Sequence, residues 1–256
     1  MKTVKFLVPV YGVKPLKGDP IQLDDGVLLR GVKLLENEHE IFKKHNMRTG
    51  YDIVLEVDYS FDEDDPSEPL PGISIRLLNM IDAALVVYGE GRAGLAAILP
   101  ADDSGYMGFI LSQYKPQYSE YLDKEIDSGF VTYFTNFKKA YDMRPMAFDI
   151  FRRSQERFSK NDKTIDSCTA LESILVPKGE RSKKSFIING LKIMGYEKEQ
   201  IEHIEKLVDY RNAIIHADRE KLLSLLTGAT YTSSWFEDTF KLVREILFKY
   251  VEKPWD

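Results

Sequence analysis

The sequence predicts an α+β protein: a β-rich domain over residues 1–115, then an all-α bundle of helices over residues 116–256. Short apolar runs separated by Gly- and Pro-rich turns fill the first part. From Tyr118 onward the apolar residues recur at helical spacing. Pro145, Pro177 and Gly195 then fall between the periodic segments, where helices stop or start.

In chain order, Val4 to Val10 is an apolar strand ended by Tyr-Gly and Lys-Pro. Val32 to His45 supplies one helix. Tyr51 to Phe61 alternates Ile53, Leu55 and Val57 with Asp52, Glu56 and Asp58, as a half-buried strand does. An acidic, proline-rich loop follows at Asp62 to Gly72. Runs at Ile73 to Leu78, Ala83 to Tyr88, Ala93 to Leu99 and Met107 to Leu111 are expected to extend the sheet. Helices are expected near 130–142, 146–158, 163–176, 182–194, 197–217 and 233–252, the third capped by Asp162.

Composition narrows the classes. The chain has 256 residues, is 43% apolar and holds 14 Tyr and 14 Phe, enough for a sizeable core in one or two domains. Its one cysteine, Cys168, excludes an intramolecular disulfide framework and cysteine-based zinc sites, and fits a reducing cytoplasm. No run approaches 18 apolar residues, so no membrane span is expected, and Met1 to Val13 reads as a strand and not a signal peptide. A cytoplasmic protein is the expectation. The net charge of −6 divides unevenly, with 15 Lys+Arg against 23 Asp+Glu in residues 1–143 and 20 against 18 in residues 144–256. That balance excludes a generic nucleic-acid binder with an extended basic face. Local basic clusters remain: Arg152 and Arg153 with Arg157 and Lys160, and the stretch Lys178 to Lys184, which holds Lys183 and Lys184. They read either as solvated surface or as phosphate-tracking groups.

The sharpest local signal is Arg211-Asn212 followed by His216. With 12 Arg and 4 His in the chain, Arg-Asn with His at the fifth place after Arg is expected by chance about 0.005 times. Advancing about 100° per residue from Ile201, the residues Ile204, Leu207, Val208, Ile214 and Ile215 form one apolar stripe. Arg211 falls inside it at about 280°, and Asn212 and His216 lie at its edge, about 40° apart. In the segment Thr164 to Val176, Glu172 likewise occupies a stripe position shared with Ile165, Cys168 and Leu175. A charge on a core-facing position needs a partner. Glu172 is therefore expected to pair with Arg211. Such a pair reads either as purely structural, or as a mount that holds Arg211 for phosphate and leaves His216 free to move protons. Cys168 reads as a packed thiol.

Other motifs carry less. His39 and His45 lie in a charged segment, and His203 lies at about 200° on the motif helix, towards the far side from His216. The Gly89 to Gly94 stretch reads as a hairpin turn. No Walker loop, dinucleotide turn or H-x-x-x-H with carboxylates is present, so neither a cofactor nor a metal is expected.

Arg157-Phe158 before a polar loop, Ala170-Leu171-Glu172, Tyr210-Arg211-Asn212 and Ile214-Ile215-His216 occur in an order that resembles the HEPN superfamily, and within it the Apea-like branch. The likeness covers about residues 145–252. It implies a four-helix-type bundle that dimerises, bringing two Arg/His motifs to one cleft. It also implies a metal-independent endoribonuclease of bacterial antiphage defence, abortive infection or toxin-type translation shutdown. On that resemblance Arg211 binds phosphate and stabilises the transition state, His216 is the general acid/base, Asn212 orients phosphate or imidazole, and Glu172 matches a supporting acidic position. RNA is then the partner, with a regulatory ligand or protein at the N-terminal domain. Other members of the superfamily keep the fold without activity. A non-catalytic dimerisation or binding module, or the regulatory partner of a defence or toxin–antitoxin system, is the alternative.

Overall fold

Alternation of apolar residues over Lys2–Tyr11 produces the long strand β1, whose Val4, Phe6, Leu7, Val8 and Val10 are all buried. Consecutive buried residues place apolar groups on both faces, so both faces of this strand are covered. In this computed structural model residues 2–14, 19–31, 36–44, 53–61, 75–90, 93–101, 109–110, 126–177, 179–181, 184–227 and 231–254 are described. They form a curled antiparallel sheet followed by a run of helices, the α+β class that the sequence predicts.

The remaining strands are β2 (Ile21–Asp24), β3 (Val27–Gly31), β4 (Ile53–Phe61), β5 (Gly94–Leu95), β6 (Ala97–Pro100) and β7 (Phe109–Ile110). The sheet order is β2-β3-β4-β1-β6-β7, with β5 also paired to β1. β1 and β4 run antiparallel with Phe6 opposite Val57 and Val8 opposite Leu55. The β2–β3 hairpin is absent from the sequence expectations, although Asp25-Gly26 between Ile21, Leu23 and Val27, Leu29 is the usual two-residue hairpin signal. Gly26 has φ +65°, and its carbonyl accepts from Asp58 N at 2.8 Å.

Two helices accompany this sheet: α1 (Glu36–Lys44), whose Phe42 packs on Ala97 and Leu99, and α2 (Ile75–Tyr88). Helix α2 corrects an expectation, since the runs Ile73 to Leu78 and Ala83 to Tyr88 read as strands in the sequence; residues 73 and 74 lie outside the described residues. Leu78 and every residue from Met80 to Val87 are buried, so apolar groups surround this helix and leave no 3.6-residue polar rhythm to read. Length decides such runs, and Asn79 and Asp82 split this one into two strand-sized pieces in the sequence. The Asp82 carboxylate in fact accepts from Leu95 N at 2.7 Å, fixing α2 to β5.

The helices that follow are α3 (Ser128–Met143), α4 (Pro145–Gln155), α5 (Lys160–Leu175), α6 (Lys184–Ile193), α7 (Lys198–Ile215), α8 (Arg219–Thr227) and α9 (Ser233–Glu252). The chain divides into two compact units, Met1–Thr135 and Asn136–Asp256, a division that falls inside α3. Within the second unit an aromatic core joins Phe137, Tyr141, Phe148 and Tyr250, with Phe137 and Phe148 rings 4.7 Å apart. Each of these four side chains is essentially fully buried.

Helix α5 is the hub, in contact with α4, α6, α7 and α9. Its inward side is built of small groups, Ser167, Cys168 and Ala170, which permit close approach, together with Leu171 and Ile174. Gly190 of α6 serves the same end, because a Cβ there would lie 2.9 Å from Leu175 Cδ2. The N-cap of α5 is Ser159, whose hydroxyl accepts from Asp162 N, and not Asp162 itself. Asp162 stands in the first turn, where its charge meets the positive end of the helix dipole. Helix α8 is a further element without a sequence-level expectation, and the motif helix ends at Ile215 instead of 217.

Candidate functional site

Helix α7 starts at Glu197, where Gln200 Oε1 accepts from Glu197 N at 3.1 Å. Its buried side holds Ile201, Ile204, Leu207 and Val208, as the stripe predicts. Tyr210 anchors it further, with its ring 5.2 Å from Phe236 and 5.4 Å from Tyr231, and its hydroxyl donating to Asn161 Oδ1 at 3.0 Å.

Arg211 Nη2 and Glu172 Oε1 form an ion pair between α7 and α5. Each side chain is 16% exposed, so the pair is largely withdrawn from water. One turn earlier on each helix, the Cys168 thiol lies against Leu207 O at 3.8 Å. Burial pushes the Cys168 thiol up to about 12, against the opposing pull of Arg211, so it is a packed thiol and not a thiolate nucleophile. Arg211 Nε is buried without a hydrogen-bond partner among the described residues. The guanidinium therefore keeps donor capacity beyond its bond to Glu172.

His216 is the C-cap of α7 and is exposed, and Asn212 is half-buried. Among the described residues neither side chain makes a hydrogen bond, and none joins His216 to Arg211. The stripe expectation fails at its end, because Ile215 is 52% exposed. The reason is local. Ala217 takes φ +50°, Ala217 N donates to Ile214 O, and Asp218 N donates to Ala213 O. These bonds form a left-handed helix stop that turns the chain off the core. Asp218 Oδ1 then accepts from Lys221 N at 2.9 Å and starts α8.

Glycine normally occupies that left-handed position, because a Cβ there crowds the following carbonyl. Ala217→Gly is expected to stabilise the protein by about 0.5–1 kcal/mol, net of the entropy that glycine adds to the unfolded chain. Urea denaturation measures it, and a variant no more stable than the parent would show that the turn is not strained.

The basic residues are dispersed. Arg157 Nε pairs with Asp166 Oδ2 at 2.8 Å, and Arg153 is exposed with Nε 3.4 Å from Asp149 O. Arg152 is half-buried beside them on α4. Lys184 is held by Glu205 and Asp209, each at 2.8 Å. Lys183 and His45 lie outside the described residues, as does the side chain of His39 in α1. His203 packs on Trp235, with ring centroids 6.0 Å apart. No group of three His, Cys, Asp or Glu among the described residues could hold a metal ion. No helix among them is long and apolar enough to cross a membrane.

A cleft of about 430 Å³ opens beside the Glu172–Arg211 pair. Two prolines shape it. Pro145, at the first position of α4, bends the chain after α3, and Pro177 stops α5. Arg144 and Met146 line it from the bend, Glu172 and Ser173 from α5, and Pro177 and Glu180 from the turn beyond. Arg144 belongs to no motif in the sequence, and Glu180 is the one acid inside the basic stretch Lys178 to Lys184. The punctuating prolines were the only signal that an opening lay here.

No protein-family model matches this chain, no curated protein matches its sequence, and no solved structure matches its fold.

Proposed function

We propose that the helical unit is a metal-independent endoribonuclease of the HEPN type, in which Arg211 and His216 act on an RNA phosphodiester. The observation that carries this reading is the mounting of Arg211. Glu172 holds one edge of its guanidinium in a mostly dry setting, while His216 stands free and exposed at the end of the same helix. A fixed, permanently charged fork suits the charge that develops on a phosphorane, and a free imidazole suits proton transfer. The His216 imidazole takes the proton of the ribose 2′-OH as that oxygen bonds to phosphorus. The bond from phosphorus to the 5′ oxygen breaks, and the leaving oxygen takes a proton from the partner's imidazolium or from water. The products are a 2′,3′-cyclic phosphate and a 5′-OH. Asn212, half-buried one place after Arg211, orients the phosphate. Antiphage defence, abortive infection or toxin-type translation shutdown is the setting this chemistry suits, with the β unit as a sensor for a ligand or partner.

Incubating the purified chain with RNA in EDTA and identifying the product ends tests the proposal. Cyclic-phosphate ends support it, and intact RNA at micromolar protein sinks it.

One imidazole per chain favours two copies acting together. The apolar side of α8 supplies a surface for that: the helix has no buried residue, and Leu223 and Leu226 are exposed together with Ile215. Leu223→Glu is expected to convert a dimer to a monomer in light scattering, with cleavage falling in parallel. A wild-type chain that is monomeric at micromolar concentration defeats this arrangement.

The second reading is a non-catalytic dimerisation or binding module, or a regulatory partner of a defence or toxin–antitoxin system. It is favoured by the absence, among the described residues, of any bond linking His216 to the Glu172–Arg211 pair. In that reading the pair serves packing alone.

A further inference from the structure

We propose that the cleft between the α3–α4 bend and the end of α5 is a subsite for a guanine base, read by Arg144 on one edge and Glu180 on the other. This rests on the ribonuclease reading, since the cleft shares Glu172 with the phosphate-binding Arg211. Its volume of about 430 Å³ lies in the range of small-ligand sites. Met143, Met146 and Val176 give it soft apolar walls, against which the flat faces of a purine pack.

The polar groups decide which base. Thr169 Oγ1 already donates to Ile165 O at 2.9 Å, and Ser173 Oγ donates to Thr169 O at 2.8 Å. Each hydroxyl has spent its only proton, so α5 turns lone pairs alone towards the cleft. Glu172, tied to Arg211, adds another acceptor, and the Glu180 carboxylate has no hydrogen bond or ion pair among the described residues. This side of the cleft can only accept. Guanine is the base whose Watson–Crick edge offers two adjacent donors, N1–H and the N2 amino group, which a carboxylate takes bidentately. Adenine and cytosine place an acceptor beside their amino group, and uracil flanks its single N–H with two carbonyls. Each of those edges sets lone pair against lone pair.

The opposite requirement is met at the bend. Arg144 Nε is buried with no hydrogen-bond partner among the described residues, and the guanidinium is in no ion pair there. Arginine forks onto O6 and N7 of guanine, the two acceptors on the base's other edge. Donors on one side and acceptors on the other therefore match guanine alone among the four bases. Because the cleft is lined by Glu172, the partner of Arg211, cleavage is expected beside guanosine.

Titrating the full chain with the four nucleoside 5′-monophosphates by calorimetry tests the subsite without any turnover. GMP is expected to bind about tenfold or more tightly than AMP, CMP or UMP. Arg144→Gln lowers GMP affinity about tenfold, and Glu180→Gln, whose amide supplies one acceptor and two donors, abolishes the preference. Glu180 is exposed and neither side chain makes a hydrogen bond or ion pair among the described residues, so unchanged melting curves are expected for both variants. Equal binding of the four nucleotides, or a GMP preference that survives Glu180→Gln, overturns the proposal. Mapping of cut sites separates the two readings. RNA cleaved without guanosine preference, with no GMP selectivity, removes the subsite and leaves the nuclease. Selective GMP binding with no cleavage of any RNA removes the nuclease and leaves a guanine site.

Discussion

Replacing His216 by alanine is expected to slow RNA cleavage by about 10²–10⁴-fold, the usual contribution of a positioned general acid or base. The fold should be indifferent to the change. His216 is exposed at the C-cap, its side chain makes no hydrogen bond among the described residues, and its backbone N–H bond to Asn212 O survives in alanine. An unchanged melting temperature with lost cleavage therefore assigns the loss to chemistry. His203→Ala is the control. That ring lies against Trp235 on the N-terminal half of the same helix, so its removal costs packing and leaves cleavage in place. A His216→Ala protein that cuts as fast as the parent defeats the catalytic assignment.

Legibility in the sequence followed the number of neighbours needed to explain a residue. The Glu172–Arg211 pairing was readable because each residue breaks an apolar stripe on its own helix, and two opposite charges so placed need each other. Helix α9 was readable for a similar reason, since its buried Phe236, Phe240, Val243 and Leu247 recur every three or four residues against exposed charges. Helix α2 was not, because a helix buried all round has no polar phase to read. The end of α7 was misread because nothing in the run Ile214-Ile215-His216-Ala217 announces a left-handed residue. Alanine carries no turn signal, and the stop exists only through its backbone bonds. The cleft is harder still. Met143 to Met146 lie some thirty positions before Val176 to Glu180, and only the packing of α4 on α5 brings them together.

Breaking the Glu172–Arg211 pair separates the two functional readings more sharply than any activity measurement alone. Arg211→Ala removes an ion-pair partner from a carboxylate that is 16% exposed, and Glu172→Ala removes the carboxylate from an equally buried guanidinium. Each single variant is expected to lose about 2–3 kcal/mol, the cost of breaking a largely buried ion pair from one side, discounted for the remaining contact with water. The double variant Glu172→Leu with Arg211→Met replaces both charges by apolar side chains of similar volume. It is expected to recover most of that loss, because replacing a buried ion pair by apolar groups is often neutral or better. Denaturant melts of the four proteins measure the cycle. If the pair serves packing alone, the apolar double variant behaves as the parent in every assay, dimerisation included. If Arg211 binds the scissile phosphate, the same variant is as stable as the parent and yet about 10²–10³-fold slower on RNA, the cost of removing a charge-stabilising donor. Stability restored without activity is therefore the signature of the nuclease. Glu172→Gln adds the intermediate case. Its amide oxygen still accepts from Arg211, so the guanidinium stays placed and cleavage falls far less than in Arg211→Met. That ordering follows only if Glu172 acts through Arg211, as a positioning residue.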